Sequence, residues 1–550
     1  MHIRSLQGKR VCILGLGKEG QATLKALEKY APGSSITIAD KNKELRIKNY
    51  ESQCGEHYLK NIDRFDVVIK SPGIPPSELQ KATYNLKPKT YHLTSATQIF
   101  LDTIVDTGAT VIGVTGSKGK STTASLIAAI LRAGGKDIDL IGNIGVPVLD
   151  FLENSYSNKF FVQEMSSYQL RDLTVSPQIA VITSFFPEHL DYHGSLEAYK
   201  NAKSHITRFQ KPGDRVVFPA ASKDARDIAA EGQGKKIPVS PDDAPIELKE
   251  TRLIGTHNLS NIALAWKTAE ILGVNRATAV QAIKEFHPLP HRLQSLGVHH
   301  GIEWIDDAIS TTPESTIAAI DALSSRVTTI ILGGLDRGYD FTELAKCIAH
   351  SSIRAIILFP GSGPRIRTAL EATSTHLQFF EAGSTEEAVS IAKKTTSNEQ
   401  RANKLTSYAP IVLLSTASPS YNMFKNFEEK GDRFQKAITC TRVSPISLFL
   451  VFKRVLGVLL IILGIAALVT PLTPGAWFIF VGMELLGISF LIPKGLRKYW
   501  VHARAWISGK GYPVPQLPAQ PSPLQDAAPC HERGTPAPGP RELSPPPQEQ

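Results

Sequence analysis

Between Arg10 and about Thr107 the chain repeats one pattern: a short unbroken apolar run, a glycine turn, then apolar positions at helical spacing. VCILGLG leads into GKEGQATLKALEKY, and SSITIAD and FDVVIKSPGIPP follow. Apolar runs alternating with helical stretches predict a parallel, doubly wound sheet. A second unit opens at ATVIGVTG, passes through the apolar helix STTASLIAAILRAGG, and continues in KFFVQEM, QIAVITSF and RVVFP. Within it EGQGKKIPVSPDDAP reads as loop, and the unit closes near LPHRLQSLG. A third begins at IEWIDDAIS and carries TTIILGGLD, FTELAKCIA, AIILFPG and IVLLSTASPS, with FKNFEEKGDRFQKAI as a closing amphipathic helix. The fold class expected is therefore α/β, in three domains over 1–107, 108–290 and 291–440.

After Cys440 the pattern changes. VLGVLLIILGIAALVT carries no charge, PLTPGAW interrupts it, and FIFVGMELLGISFLIP holds only Glu484 as an ionisable side chain. Each run is at or just below the roughly 17–25 residues that span a bilayer. A transmembrane or re-entrant helical hairpin is expected over 446–500, with a buried helical pair as the alternative. Lys453 and Arg454 before it, and Lys494, Arg497, Lys498 and Arg504 after it, put both ends on the cytoplasmic side. From Tyr512 to Gln550 the chain is rich in proline, glutamine and alanine with almost no large apolar residues, and the tail over 505–550 is expected to be disordered.

A chain of 550 residues exceeds what one core supports. Its net charge of +10 suits an anionic ligand, a nucleic acid or an anionic membrane surface, and does not choose among them. The 5 cysteines are scattered without a CxxC, which argues for reduced thiols in a cytosolic compartment and against a structural zinc site.

The chemistry-bearing residues gather at strand ends. Gly15-Leu-Gly17-Lys-Glu-Gly20 joins a strand to a helix, a spacing that lets backbone N–H groups approach a pyrophosphate; a tight turn without a ligand would read the same. Asp40 ends the next strand, and Ser71-Pro72-Gly73 follows VVIK. GVTGSKGKS at 113–121 has the Gly119-Lys120-Ser121 end of a phosphate loop but Val114 where the first glycine belongs. Gly113 and Gly116 can supply permissive backbone in a shifted frame. Glu164 ends a strand, where a carboxylate can reach a phosphate-bound magnesium or simply be solvated. Phe186-Pro-Glu188-His189-Leu-Asp191-Tyr-His193 concentrates acids and imidazoles without a complete zinc set. Lys203 follows on a helix, where a lysine is ordinarily a surface charge. Asn258 and Asn261, one helical turn apart, could read a purine or ribose or cap the helix. His291-Arg292, Asp306-Asp307, the turn Gly333-Gly334-Leu-Asp336-Arg337-Gly338 and the hydroxyl-rich Ser415–Ser420 complete the set.

Together and in this order these segments resemble the Mur ligase family over roughly 8–438, most of all its glutamate-adding branch. GVTGSKGKST resembles that family's ATP loop, which lacks the first glycine. The resemblance implies a Rossmann-like UDP domain, a central ATPase domain and a Rossmann-like C-terminal domain. It implies that Gly15, Gly17, Asp40, Ser71, Pro72, Gly73 and Asn143 hold a UDP-linked substrate. Gly116, Ser117, Lys118, Gly119, Lys120, Ser121 and Thr122, with Asn258, Asn261, Arg292 and Asp307, would bind ATP. Ser121, Glu164, His189 and Lys203 would serve magnesium, Lys203 as a carbamate; Lys120, Glu164, His189 and Lys203 form the implied catalytic set. Thr311, Arg337, Ser420 and Phe427 would line the glutamate pocket.

The implied substrates are UDP-N-acetylmuramoyl-L-alanine and glutamate, with ATP and Mg²⁺ and no nucleic acid, at the inner face of the cell membrane. D-glutamate is the family default. Where D-glutamate enzymes usually carry Asp-Ser-Lys-Ala-Thr, this chain has Asp307-Ala-Ile309-Ser-Thr311, and Arg337 stands for the usual lysine. DDAISTTPEST and GGLDRGYD resemble a variant branch that includes L-glutamate ligases, so an L-glutamate-adding enzyme is one alternative. A related folate or muramoyl-peptide ligase, an inactive membrane-tethered nucleotide-binding scaffold and a dehydrogenase built on the first glycine loop are the others.

Overall fold

The computed structural model describes residues 1–45, 47–83, 91–105, 107–144, 146–153, 156, 158–374, 376–402, 409–439 and 453–462. Three sheets follow one another along the chain. The first holds β1 (Arg10–Leu14), β2 (Ser35–Asp40), β3 (Glu51–Cys54), β4 (Val67–Lys70) and β5 (His92–Thr94), all parallel, in the order β3-β2-β1-β4-β5. The second holds β6 (Thr110–Thr115), β7 (Ile138–Gly142), β8 (Phe160–Glu164), β9 (Ile179–Ile182), β10 (Arg215–Pro219) and β11 (Lys235–Val239), parallel in the order β11-β10-β9-β6-β8-β7. The third holds β12 (Gln294–His299), β13 (Ile302–Asp306), β14 (Val327–Leu332), β15 (Ala355–Leu358), β16 (Gln378–Glu381) and β17 (Ile411–Leu414), in the order β12-β13-β17-β14-β15-β16.

Two strands depart from the sequence reading. KKIPV, read as loop, is β11, the edge of the second sheet; most of its positions stay in contact with solvent and Pro238 removes a ladder donor, which only an edge tolerates. β12 runs antiparallel to β13 and closes one edge of the otherwise parallel third sheet.

One apolar core runs through the first sheet and one face of the second. The helix Ala96–Ile104 drives Ile99, Phe100 and Ile104 into it, and the Phe100 and Phe161 rings meet edge to face at 5.3 Å. Each such buried ring contributes about 1.5–3 kcal/mol over exposure. The other face of the second sheet is covered by the helices Lys120–Ala133 and His257–Glu270, through Leu126, Ile127, Ile130, Ile262 and Leu264. The third sheet has its own cores on its two faces. The first two sheets are thus welded through a common interior, and the third is built separately.

Gly113 corrects the sequence reading of the phosphate loop. It lies inside β6 and lacks the positive φ of Gly116 and Gly119. A Cβ there would sit 2.6 Å from Pro177 Cγ and 2.9 Å from Met165 Sδ, so its role is to let the strand pack. Gly113→Ala is expected to cost about 1–3 kcal/mol through overpacking. A denaturant titration checks this; a midpoint equal to that of the parent would remove the packing account.

The hairpin expected over 446–500 lies outside the described residues except for a helical stretch at 453–462, and the tail over 505–550 lies wholly outside them. Among the described residues no helix is long and apolar enough to cross a membrane.

Candidate active site

At the carboxyl edge of the first sheet, β1, β2 and β4 bring the expected UDP residues together. The Asp40 carboxylate accepts from Leu16 N at 2.7 Å and Asn42 N at 2.8 Å, so it shapes the glycine loop it faces. Ser71 Oγ donates to Gly15 O at 2.8 Å, joining the turn Ser71–Gly73 to the same loop. The topological switch falls between β1 and β4, where open α/β sheets bind ligands. Tyr192, which sequence reasoning did not single out, donates to Pro72 O at 2.9 Å, and Gln169 donates to Glu19 at 2.6 Å. Both contacts tie this edge to the second sheet.

The loop after β6 turns on two glycines. Gly116 (φ 155°) and Gly119 (φ 84°) adopt backbone that side chains disfavour, and a Cβ on Gly119 would lie 2.5 Å from Asn261 Oδ1. The loop is pinned from outside. Ser117 N donates to Ser184 O at 2.9 Å, Lys118 N to Ser184 Oγ at 2.8 Å, and Thr183 Oγ1 to Lys118 O at 2.5 Å. Ser117 Oγ meets Tyr199 Oη at 2.9 Å, a partner invisible to motif reading. Asn261 Nδ2 donates to Asn258 Oδ1 at 2.8 Å, and Thr123 Oγ1 donates to Asn261 Oδ1 at 3.2 Å. The two amides therefore brace the loop from the buried side of their helix; its N-cap, Thr256, makes no side-chain capping bond. Ser121 and Thr122 follow in the first turn of the helix that Lys120 begins.

Lys120 Nζ donates to Gly116 O and Ser117 O, each at 2.9 Å, and Lys203 Nζ donates to the same Gly116 O at 2.8 Å. Lys203 is 1% exposed, so the surface-charge reading fails for it. Its ammonium lies 4.8 Å over the Tyr199 ring. Burial, reinforced by the neighbouring Lys120 charge, pulls Lys203 well below the ordinary lysine value. Burial lowers Lys120 too, against the opposing fields of Glu164 and Glu188.

Glu164 closes β8 at 1% exposure. Its Oε1 accepts from Asn143 Nδ2 at 2.8 Å, which places Asn143 at this site rather than beside the first sheet's glycine loop. Glu164 Oε2 is buried with no hydrogen-bond partner among the described residues. The oxygen left without a partner suits a bound cation, and the positive charges of Lys120, Lys203 and Arg292 within Coulombic reach would oppose one that arrived without an anion of its own. His189 stands at φ 56° ahead of the short helix Leu190–His193, its ring 5.0 Å from that of Tyr168 and 6.2 Å from that of Tyr199. Glu188 pairs with Lys118 at 2.6 Å.

Arg292 joins the third sheet to this cluster. Its charge acts on Lys120 and responds to Asp307 and Glu164, and burial lowers it from the ordinary arginine value. Asp307, buried after β13, accepts from Ser415 Oγ at 2.9 Å and Leu293 N at 3.2 Å. Burial pushes its carboxyl up to about 6, opposed by the hydrogen bonds of Ser310 and Ser415.

The four expected glutamate residues lie on neighbouring elements of the third sheet. Thr311 follows β13, Arg337 follows β14 and is exposed, Ser420 follows β17, and Phe427 opens the helix Phe427–Thr439. Ser420 Oγ is buried with no partner among the described residues. The turn after β14 depends on Gly334 (φ 155°), where a Cβ would collide with Pro419 O, so the two loops touch backbone to backbone.

A model of the Mur ligase middle domain matches residues 114–244. The UDP-N-acetylmuramoyl-L-alanine–L-glutamate ligase of Salinispora tropica is 32% identical over 467 residues, covering 80% of this chain and 100% of that protein. The UDP-N-acetylmuramoylalanine–D-glutamate ligase of Streptococcus mutans is 31% identical over 464 residues, covering 79% of this chain and 97% of its own. The solved MurF ligase of Thermotoga maritima in complex with ADP aligns at a TM-score of 0.49 and 16% identity, over 80% of this chain and 96% of that one. With relatives of this identity matched along four-fifths of its length, the chain belongs to the Mur ligase family.

Proposed function

We propose that this chain is an ATP-dependent ligase that joins glutamate to UDP-N-acetylmuramoyl-L-alanine in peptidoglycan precursor synthesis. The observation that carries the reading is that Lys120 and Lys203 both bond Gly116 O of one glycine loop, with Glu164 and Arg292 in Coulombic reach of Lys120, in a chain similar along most of its length to glutamate ligases.

The first sheet's edge, with Gly15, Gly17, Asp40, Ser71, Pro72 and Gly73, receives the uridine diphosphate, and Asn143 meets the sugar-linked alanyl end beside Glu164. The loop Gly116–Thr122, braced by Asn258 and Asn261, holds ATP together with Arg292 and Asp307. An alanyl carboxylate oxygen attacks the γ-phosphorus; the bond to the β–γ bridging oxygen breaks, giving an acyl phosphate and ADP. The glutamate amine then attacks the acyl carbon, loses a proton, and expels inorganic phosphate. Lys120 and Arg292 offset the charge developing on the transferred group. Ser121, Glu164, His189 and Lys203 would hold magnesium, which supplies further charge compensation on the phosphates.

We assign the incoming glutamate the L configuration. Asp307-Ala-Ile309-Ser-Thr311 lacks the lysine of the D-glutamate pattern, and Arg337 stands on an exposed turn in place of another. Purified protein given ATP, Mg²⁺, UDP-N-acetylmuramoyl-L-alanine and one enantiomer at a time tests both statements. ADP release with L-glutamate is the expected result. Release with D-glutamate alone reverses the handedness, and release with neither removes the ligase reading.

A further inference from the structure

Lys430 is a lysine in the wrong place for a solvated one. It lies three residues beyond Phe427 on the closing helix, is 1% exposed, and among the described residues makes one hydrogen bond, Nζ to Thr416 Oγ1 at 2.6 Å. The next residue, Gly431, leaves no room for a Cβ against the His291 ring, so the helix is seated hard on the third sheet at this point. Asp306 and Asp307 lie within Coulombic reach of the ammonium, and burial pushes it down to about 7. An apolar side chain of similar volume would fill this position without the desolvation cost of an ammonium. What the lysine adds is a fixed donor.

That donor holds a junction. While accepting from Lys430, the Thr416 hydroxyl points its own proton at Ser418 O at 3.0 Å, beside Ser310 O at 3.4 Å. The Thr416 carbonyl accepts from Gly333 N at 2.9 Å, and Pro419 O accepts from Leu335 N at 2.7 Å. Ser418 Oγ meets Ser362 Oγ at 2.7 Å. Three loops are thereby tied at one residue: the one leading to Thr311, the one leading to Arg337, and the one ending at Ser420, whose hydroxyl is left unbonded among the described residues. The helix that supplies the lysine also supplies Phe427.

We propose that Lys430 is the positioning residue of the glutamate pocket, setting the mutual register of the Thr311, Arg337 and Ser420 loops through Thr416. The inference rests on the ligase reading above and adds to it a residue that touches no substrate.

The test compares the KM for glutamate, ATP and UDP-N-acetylmuramoyl-L-alanine in the parent, Lys430→Met and Lys430→Arg. Lys430→Met is expected to raise the glutamate KM at least tenfold with the other two within twofold, and Lys430→Arg, which keeps a donor, to recover most of that loss. An unchanged glutamate KM, or an equal rise in all three, overturns the proposal. If Lys430→Met does not fold, Thr416→Val, which removes the acceptor and keeps the lysine, must give the same selective rise, and its absence overturns the proposal equally. A parent enzyme with no glutamate-dependent ADP release defeats the ligase reading, and this inference with it.

Discussion

Replacing Lys120 with alanine is expected to lower product formation at least about 10³-fold, on the order of 4 kcal/mol of transition-state stabilisation. Lys120 opens the helix Lys120–Ala133 from Gly119, and its ammonium sits on Gly116 O and Ser117 O at the centre of the loop. A cation held there needs little reorganisation when phosphoryl charge develops, which is why its loss falls mainly on the chemical step. The substitution removes a donor from two carbonyls, but Lys203 still bonds Gly116 O, and the loop's backbone bonds to Ser184 do not involve Lys120. Folding should therefore survive. ADP release at saturating substrates, alongside a thermal melt within a few degrees of the parent, checks the expectation. Undiminished turnover would mean that this loop does not hold the reacting triphosphate.

How much of this could be read from the chain divides along physical lines. The loops after β1, β4, β6, β14 and β17 were legible because glycine and hydroxyl clusters at the ends of apolar runs are local signals. Lys203 was not: a lysine on a helix carries no local mark of being 1% exposed, and the family resemblance alone singled it out. Lys430 was missed because the helix containing it has the charge pattern of a surface helix, whereas its partner Thr416 and the His291 ring that seats the next residue, Gly431, both lie outside that helix. β11 was missed because an edge strand with proline lacks the apolar run that marks a covered one. The core common to the first two sheets has no sequence signature at all, since Phe100 and Phe161 meet only in the folded chain. Of the two glycines that could shift the frame of the phosphate loop, Gly116 turns it, whereas Gly113 packs a strand, a distinction made by neighbours such as Pro177 that are remote in sequence.

Lys203→Ala is expected to abolish turnover to a similar degree, on the order of 10³-fold, and the pattern of recovery identifies the species that acts. A lysine that is buried, beside a second ammonium and held below its ordinary value gives up its proton more readily than a solvated lysine, and the free amine is the form that adds carbon dioxide to give a carbamate. Such a side chain changes sign, from a cation repelled by Lys120 to an anion that can serve a metal alongside Glu164. The alanine substitution leaves a cavity under Tyr199 and Gly116. If the working species is the carbamate, acetate or formate supplied in the assay restores part of the turnover and methylamine does not. If the working species is the ammonium, the order is reversed. Recovery with methylamine alone would remove Lys203 from the metal site and leave it as a brace of the phosphate loop, holding Gly116 O at 2.8 Å.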